Sequence, residues 1–134
     1  MGNNNTAEKT ILIIEDDDDT REMLKIFLQQ SGYRIVDAAD GEEAVEKAIS
    51  ERPDLILMDL HLPKLDGFSA AQRIRQHPEL LNVPILTNSA DGMKGIDYTL
   101  RRHELGAGYT DYFTKPVDLD ELKDMINRLL SGGG

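Results

Sequence analysis

Residues 54–59 read Asp-Leu-Ile-Leu-Met-Asp, four consecutive apolar residues with an acid at either end. An apolar run without polar alternation marks a strand covered on both faces, as in a parallel sheet between helices. Residues 11–14, Ile-Leu-Ile-Ile, repeat the pattern and run directly into five acids, Glu15 to Asp19. Two buried strands that both end on carboxylates raise the question of what those carboxylates do.

Outward from these strands, apolar runs alternate with segments of helical period. Met23, Leu24, Phe27 and Leu28 recur at the spacing of an amphipathic helix, and a short strand follows at 33–38. Ala44, Val45, Ala48 and Ile49 stripe a second helix, capped by Asp40 with Glu43 three residues on and closed by Pro53. Beyond 54–59, a turn with Pro63, Asp66 and Gly67 leads to a helix carrying Phe68, Ala71 and Ile74 in phase. Residues 83–88 read as a fourth strand opening at Pro84, 92–105 as a helical segment weakened by Gly92 and Gly95, and 109–113 as a fifth strand. Leu122, Met125, Ile126 and Leu129 stripe a last helix, with Asp118 as cap and Glu121 behind it. Five strands alternating with five helices imply a parallel sheet with helices on both faces.

The 134 residues fit one domain: a polar leader over 1–8, a folded unit over 9–130, and a flexible tail over 131–134. With 25 acids against 15 bases the net charge is −10, which argues against nucleic acid and against an anionic membrane surface as partners. No cysteine is present, as expected of a chain in a reducing cytoplasm, and no apolar run approaches the ~20 residues of a membrane span. The opening Met-Gly-Asn-Asn-Asn-Thr matches short myristoylation and glycosylation patterns that are common by chance.

In open parallel sheets ligands sit outside the carboxyl ends of the strands. Glu15 and Asp16 end the first strand, Asp59 the third, Ser89 follows the fourth and Lys115 the fifth. Carboxylates brought together repel, and a divalent cation resolves the conflict; oxygen donors without a His/Cys cluster favour Mg²⁺. Lys115 and the Ser89 hydroxyl suit phosphoryl oxygens, and an Asp can itself become an aspartyl phosphate. Of the acid run, Asp17 is expected at the pocket rim, and Asp18 and Asp19 in a helix start where Asp19 with Glu22 forms a capping box.

These segments, ILIIEDD with Arg21, DLILMDLHLPKLDG, VPILTNSA and YFTKPVD, in this order, resemble the receiver domain of two-component response regulators over 9–130. The resemblance implies a flavodoxin-like, doubly wound five-stranded parallel sheet of order 2-1-3-4-5 with five helices. It implies a phosphoryl group accepted on Asp59 from a phosphohistidine of a sensor histidine kinase or phosphotransfer protein. Mg²⁺ would be held by Asp16, Asp59 and the backbone carbonyl of His61, with Glu15 acting through water or hydrogen bonds. Ser89 and Lys115 would bind the phosphoryl oxygens, Ser89 and Tyr112 would form the switch, and the Lys115–Pro116 peptide would be cis. His61 and Asp91 would flank the path of attacking water and tune dephosphorylation.

Three features depart from the common pattern. Glu15 stands where Asp is frequent, Ser89 stands where Thr is common, and the segment around 91–105 is longer than in many relatives. The expected role is a signalling module without an output domain, catalysing only its own phosphorylation and dephosphorylation. Its readout would be a protein target met by the last helix–strand–helix surface; a phosphorylation-dependent homodimer stays open. A Mg²⁺-dependent phosphohydrolase of the haloacid dehalogenase type is the enzymatic rival, but His61 stands where that family needs a second Asp. A partner-binding domain that is never phosphorylated is the third reading.

Overall fold

Strand β1 (Thr10–Ile14) and strand β3 (Leu55–Asp59) are buried over their whole length, as their uninterrupted apolar sequences require. The computed structural model describes residues 8–59, 62, 64, 65, 67–89, 111–114 and 118–131. Within these, β2 (Arg34–Ala38), β4 (Ile85–Ser89) and β5 (Asp111–Thr114) complete a parallel sheet of order β2-β1-β3-β4-β5. Helices α1 (Asp18–Gln30), α2 (Gly41–Glu51), α3 (Gly67–Arg75) and α4 (Leu119–Leu130) flank it, with a 3₁₀ turn at Pro78–Leu80. The expected strand order and doubly wound arrangement are observed; the helical segment expected over 92–105 lies outside the described residues.

Side chains alternate across the sheet with the period of two that strands impose. Leu12 and Ile14 of β1 with Ile56 and Met58 of β3 join Ala44 and Ala48 of α2 and Ala70, Ala71 and Ile74 of α3. Ile11, Ile13, Leu55 and Leu57 turn the other way and pack with Leu24 and Leu28 of α1 and Leu122 and Ile126 of α4. Two cores thus lie on opposite faces of one sheet.

Helix starts are fixed by side-chain acceptors. The Asp40 carboxylate accepts from Glu43 N at 2.8 Å, and Asp118 accepts from Asp120 N at 3.0 Å and Glu121 N at 3.1 Å, both as expected. Helix α1 differs. Its cap is Asp17, which accepts from Thr20 N at 2.8 Å and Thr20 Oγ1 at 2.7 Å, so Asp19 lies inside the first turn and forms no capping box. Helix α2 ends at Arg52, in the left-handed region at φ 47°, immediately before Pro53, which disfavours continued helix in the residue ahead of it.

Strand boundaries move by a residue or two. Pro84 has no N–H to give the ladder, and β4 opens at Ile85, while the Pro84 carbonyl still accepts from Ile56 N at 2.9 Å. Ser89, expected just past this strand, is its final residue.

The loop after β3 is tied to the start of α2. A Cβ on Gly41 would lie 1.8 Å from the Leu65 carbonyl oxygen, so backbone passes backbone where only glycine fits. Lys64, at φ 68°, places Nζ 3.4 Å from Asp40 Oδ2, and Leu62 and Leu65 pack on the α2/α3 core. At the opposite end of the sheet the Tyr33 hydroxyl donates to Asn127 Oδ1 of α4, and burial pushes the Tyr33 phenol up.

Candidate functional site

Strands β1 and β3 are adjacent, with Ile14 opposite Met58, so their carboxyl ends deliver Glu15, Asp16 and Asp59 to one place. One carboxylate oxygen from each lies within 4.8 Å of the others. Glu15 is 2 % exposed and Asp59 4 %, whereas Asp16 is exposed. Two buried acids beside a third are stable as anions only with compensating positive charge or donors.

Part of that compensation is local. Asp17 N donates to Glu15 Oε2 at 3.0 Å, from the N-terminal end of α1 where unpaired backbone N–H groups gather. Glu15 N donates to the Ala38 carbonyl at 3.1 Å, which extends the β1–β2 ladder by one bond. The Arg21 guanidinium reaches back from α1, with Nη1 donating to the Glu15 carbonyl at 2.9 Å. Its Nη2 meets Asp18 Oδ1 at 2.5 Å and its Nε lies 3.6 Å from Asp37 Oδ2 on β2. The hydrogen bond to Asp18 holds this guanidinium above its ordinary pKa.

A set of three hard oxygen donors, two buried and one open to solvent, has the chemistry of a Mg²⁺ site, where a few carboxylates bind and water completes the shell. Asp59 lies opposite Asn88 of β4, and the next residue, Ser89, pairs with Thr114 of β5. The backbone at Ser89 therefore stands on the same carboxyl edge, with Thr114 immediately before Lys115 in the chain. Tyr112 is in β5 opposite Thr87. The side chains of Ser89 and Tyr112, together with His61, Asp91, Lys115 and Pro116, lie outside what is described.

Sequence reasoning brought Glu15, Asp16 and Asp59 together, as they are found, but placed Asp17 at the pocket rim without its role as the cap of α1, and used Arg21 only as part of a pattern. The signal for Asp17 was present in Thr20, three residues on, whose backbone and hydroxyl both meet the cap. Of the ties of Arg21, only the pair with Asp18, three residues back on the same helix, has a local sequence signature; those to the Glu15 carbonyl and to Asp37 of β2 have none.

Comparison with known proteins agrees with this geometry. Residues 11–127 match the response regulator receiver domain model. Sporulation initiation phosphotransferase F of Bacillus subtilis is 33% identical over 110 residues, 82% of this chain and 84% of that protein. The DNA-binding dual master transcriptional regulator RpaA of Synechocystis is 36% identical over 114 residues, and the match spans 81% of this chain but 44% of that protein. The chain thus spans less than half the length of some curated relatives it matches. Among solved structures, the receiver domain of the sensor histidine kinase PA1611 from Pseudomonas aeruginosa superposes with a TM-score of 0.81 at 36% identity. The match covers 94% of this chain and 100% of that one, and a magnesium ion is coordinated in its active site cleft. With its strand order, acid cluster and matched span in agreement, this chain belongs to the family of response regulator receiver domains of two-component systems.

Proposed function

We propose that the chain is a phosphoacceptor module in which Asp59 takes a phosphoryl group from a phosphohistidine of a sensor kinase or phosphotransfer protein. The observation that carries this reading is the convergence of Glu15, Asp16 and Asp59 within 4.8 Å at the carboxyl edge of a receiver sheet. An Asp59 oxygen forms the new P–O bond while the P–N bond of the donor breaks, its electron pair leaving on the imidazole nitrogen. Asp16, Asp59 and the His61 carbonyl would hold Mg²⁺, with Glu15 bearing on it through water or hydrogen bonds. When bound, Mg²⁺ offsets the carboxylate charge and the charge on the phosphoryl oxygens.

Around that centre Lys115 pairs with one phosphoryl oxygen and Ser89 donates to another. Movement of Ser89 toward the phosphoryl group, followed by Tyr112, reshapes the last helix–strand–helix surface, where a protein target docks. His61 and Asp91 set how readily water reaches the phosphoryl group, so their exchange alters the lifetime of the phosphoprotein. The receiver unit occupies 9–130, bracketing the matched span. A cytoplasmic setting accords with the absence of cysteine and with the finding that no helix among the described residues is long and apolar enough to cross a membrane.

Intact-mass spectrometry after incubation with acetyl phosphate and Mg²⁺ tests the reading. The expected result is one added phosphoryl group on the wild type and none on Asp59→Asn. No adduct from acetyl phosphate or from a phosphorylated histidine donor would overturn it, and steady turnover of many phosphomonoesters would favour a hydrolase instead.

A further inference from the structure

The five acids from Glu15 to Asp19 make the start of α1 strongly anionic, and Arg21 is the cation the described contacts place among them. Its three guanidinium nitrogens are divided among the chain just past β1, its own helix and β2. Nη1 binds the Glu15 carbonyl at 2.9 Å, Nη2 binds Asp18 in the first turn of α1 at 2.5 Å, and Nε faces Asp37 of β2 at 3.6 Å. The Arg21 side chain is 20% exposed, and Lys25 Nζ lies 3.7 Å from the same Asp37 carboxylate.

The bond to the Glu15 carbonyl matters because of where that carbonyl lies. It belongs to the peptide joining Glu15 to Asp16, the first residue after the strand and its last ladder bond. Glu15 is held by its N–H to Ala38 and by its carboxylate to Asp17 N. Asp16 is exposed, with its backbone in a bend between these anchors. The position of its carboxylate depends on the peptide before it, whose carbonyl accepts from Arg21 Nη1.

We propose that Arg21 is a positioning residue for the carboxylate site, setting the Glu15–Asp16 peptide so that Asp16 meets Asp59 and Glu15 around a divalent cation. The proposal rests on the reading of this cluster as a Mg²⁺ site. It differs in sign from what charge alone dictates. Removing a cation from an acidic rim strengthens binding of another cation by Coulomb's law; removing a positioning group weakens it. Loss of groups that orient metal ligands commonly lowers affinity by about tenfold or more. Lysine keeps the charge but cannot serve three acceptors with a planar fork.

The test is calorimetric titration of wild type, Arg21→Gln and Arg21→Lys with MgCl₂, alongside urea denaturation of each. Hydrogen exchange at the Asp17 amide, followed without metal, gives a second readout of order at the strand end. The expected result is about tenfold weaker Mg²⁺ binding in R21Q, a smaller loss in R21K, and faster Asp17 exchange in both than their global stability explains. Affinity in R21Q equal to or above wild type overturns the proposal. So does an R21K variant that binds as wild type does, the deciding result if R21Q does not fold. A wild type that binds no Mg²⁺ overturns the metal reading, and the proposal with it, a pattern distinct from binding retained in all three proteins.

Discussion

On one face of the sheet, Leu24 and Leu28 of α1 and Leu122 and Ile126 of α4 press long side chains onto Ile11, Ile13, Leu55 and Leu57. On the other, α2 and α3 meet it and each other largely through Ala44, Ala48, Ala70 and Ala71. Large residues keep helix and sheet apart and fill the gap with side-chain volume; alanines let backbones come close. The close-packed face also carries the Gly41–Leu65 passage and the Asp40–Lys64 pair. The two layers should therefore fail in opposite ways, one by losing volume and the other by gaining it.

The largest expected effect is on the long-side-chain face. Leu28 is fully buried, and Leu28→Ala should lower unfolding free energy by about 3 kcal/mol, measured by urea denaturation. A loss below about 1 kcal/mol would mean that the helices close over the gap and that the two layers differ little in how they tolerate lost volume. On the alanine face one added methyl should suffice. In Gly41→Ala the new Cβ would meet the Leu65 carbonyl oxygen at 1.8 Å, and about 2 kcal/mol should be lost as the loop after β3 shifts. Because that loop leaves from Asp59, the same variant should also slow phosphorylation by acetyl phosphate; an unchanged rate would separate the loop from the site.

The smallest effect sharpens the comparison through pH. The backbone N–H of Glu43 holds the Asp40 carboxyl below its ordinary 3.8, with Lys64 adding to the same shift. A carboxyl whose folded pKa is depressed contributes stability fully above its unfolded pKa and loses it as pH falls through the folded value. Stability measured from pH 5 downward should therefore fall below about pH 3.8, and Asp40→Asn should make that acid limb shallower. An acid limb unaltered by Asp40→Asn would remove the pair from the account of this layer.

Much of this was legible in the chain. β1 and β3 are uninterrupted apolar runs, and no other element type bounded so tightly by acids and Pro suits four such residues. The caps at Asp40 and Asp118 were legible because each stands just ahead of an apolar helical stripe, with Glu three residues on. The start of α1 was not legible from the acids alone. Asp16 to Asp19 are four chemically identical candidates, and the choice of Asp17 follows from where β1 releases the chain and Arg21 gathers it. Gly41 is opaque for a related reason: its neighbour, Leu65, is distant in sequence, and no local pattern announces a backbone crossing. The acid cluster was legible because a rule about strand ends, not a contact, brought Glu15, Asp16 and Asp59 together.

The alternation along β3 has a consequence for how this chain can change. Leu55 and Leu57 face the α1/α4 side and Ile56 and Met58 the α2/α3 side, so Asp59 has the parity of the leucines. Substitutions within the run alter packing by degrees, but inserting or deleting a single residue between 55 and 59 would turn Asp59 toward the opposite core. Length variation in such a protein is thus confined to its loops, while the distance from Leu55 to Asp59 is counted in whole residues and must stay even-stepped.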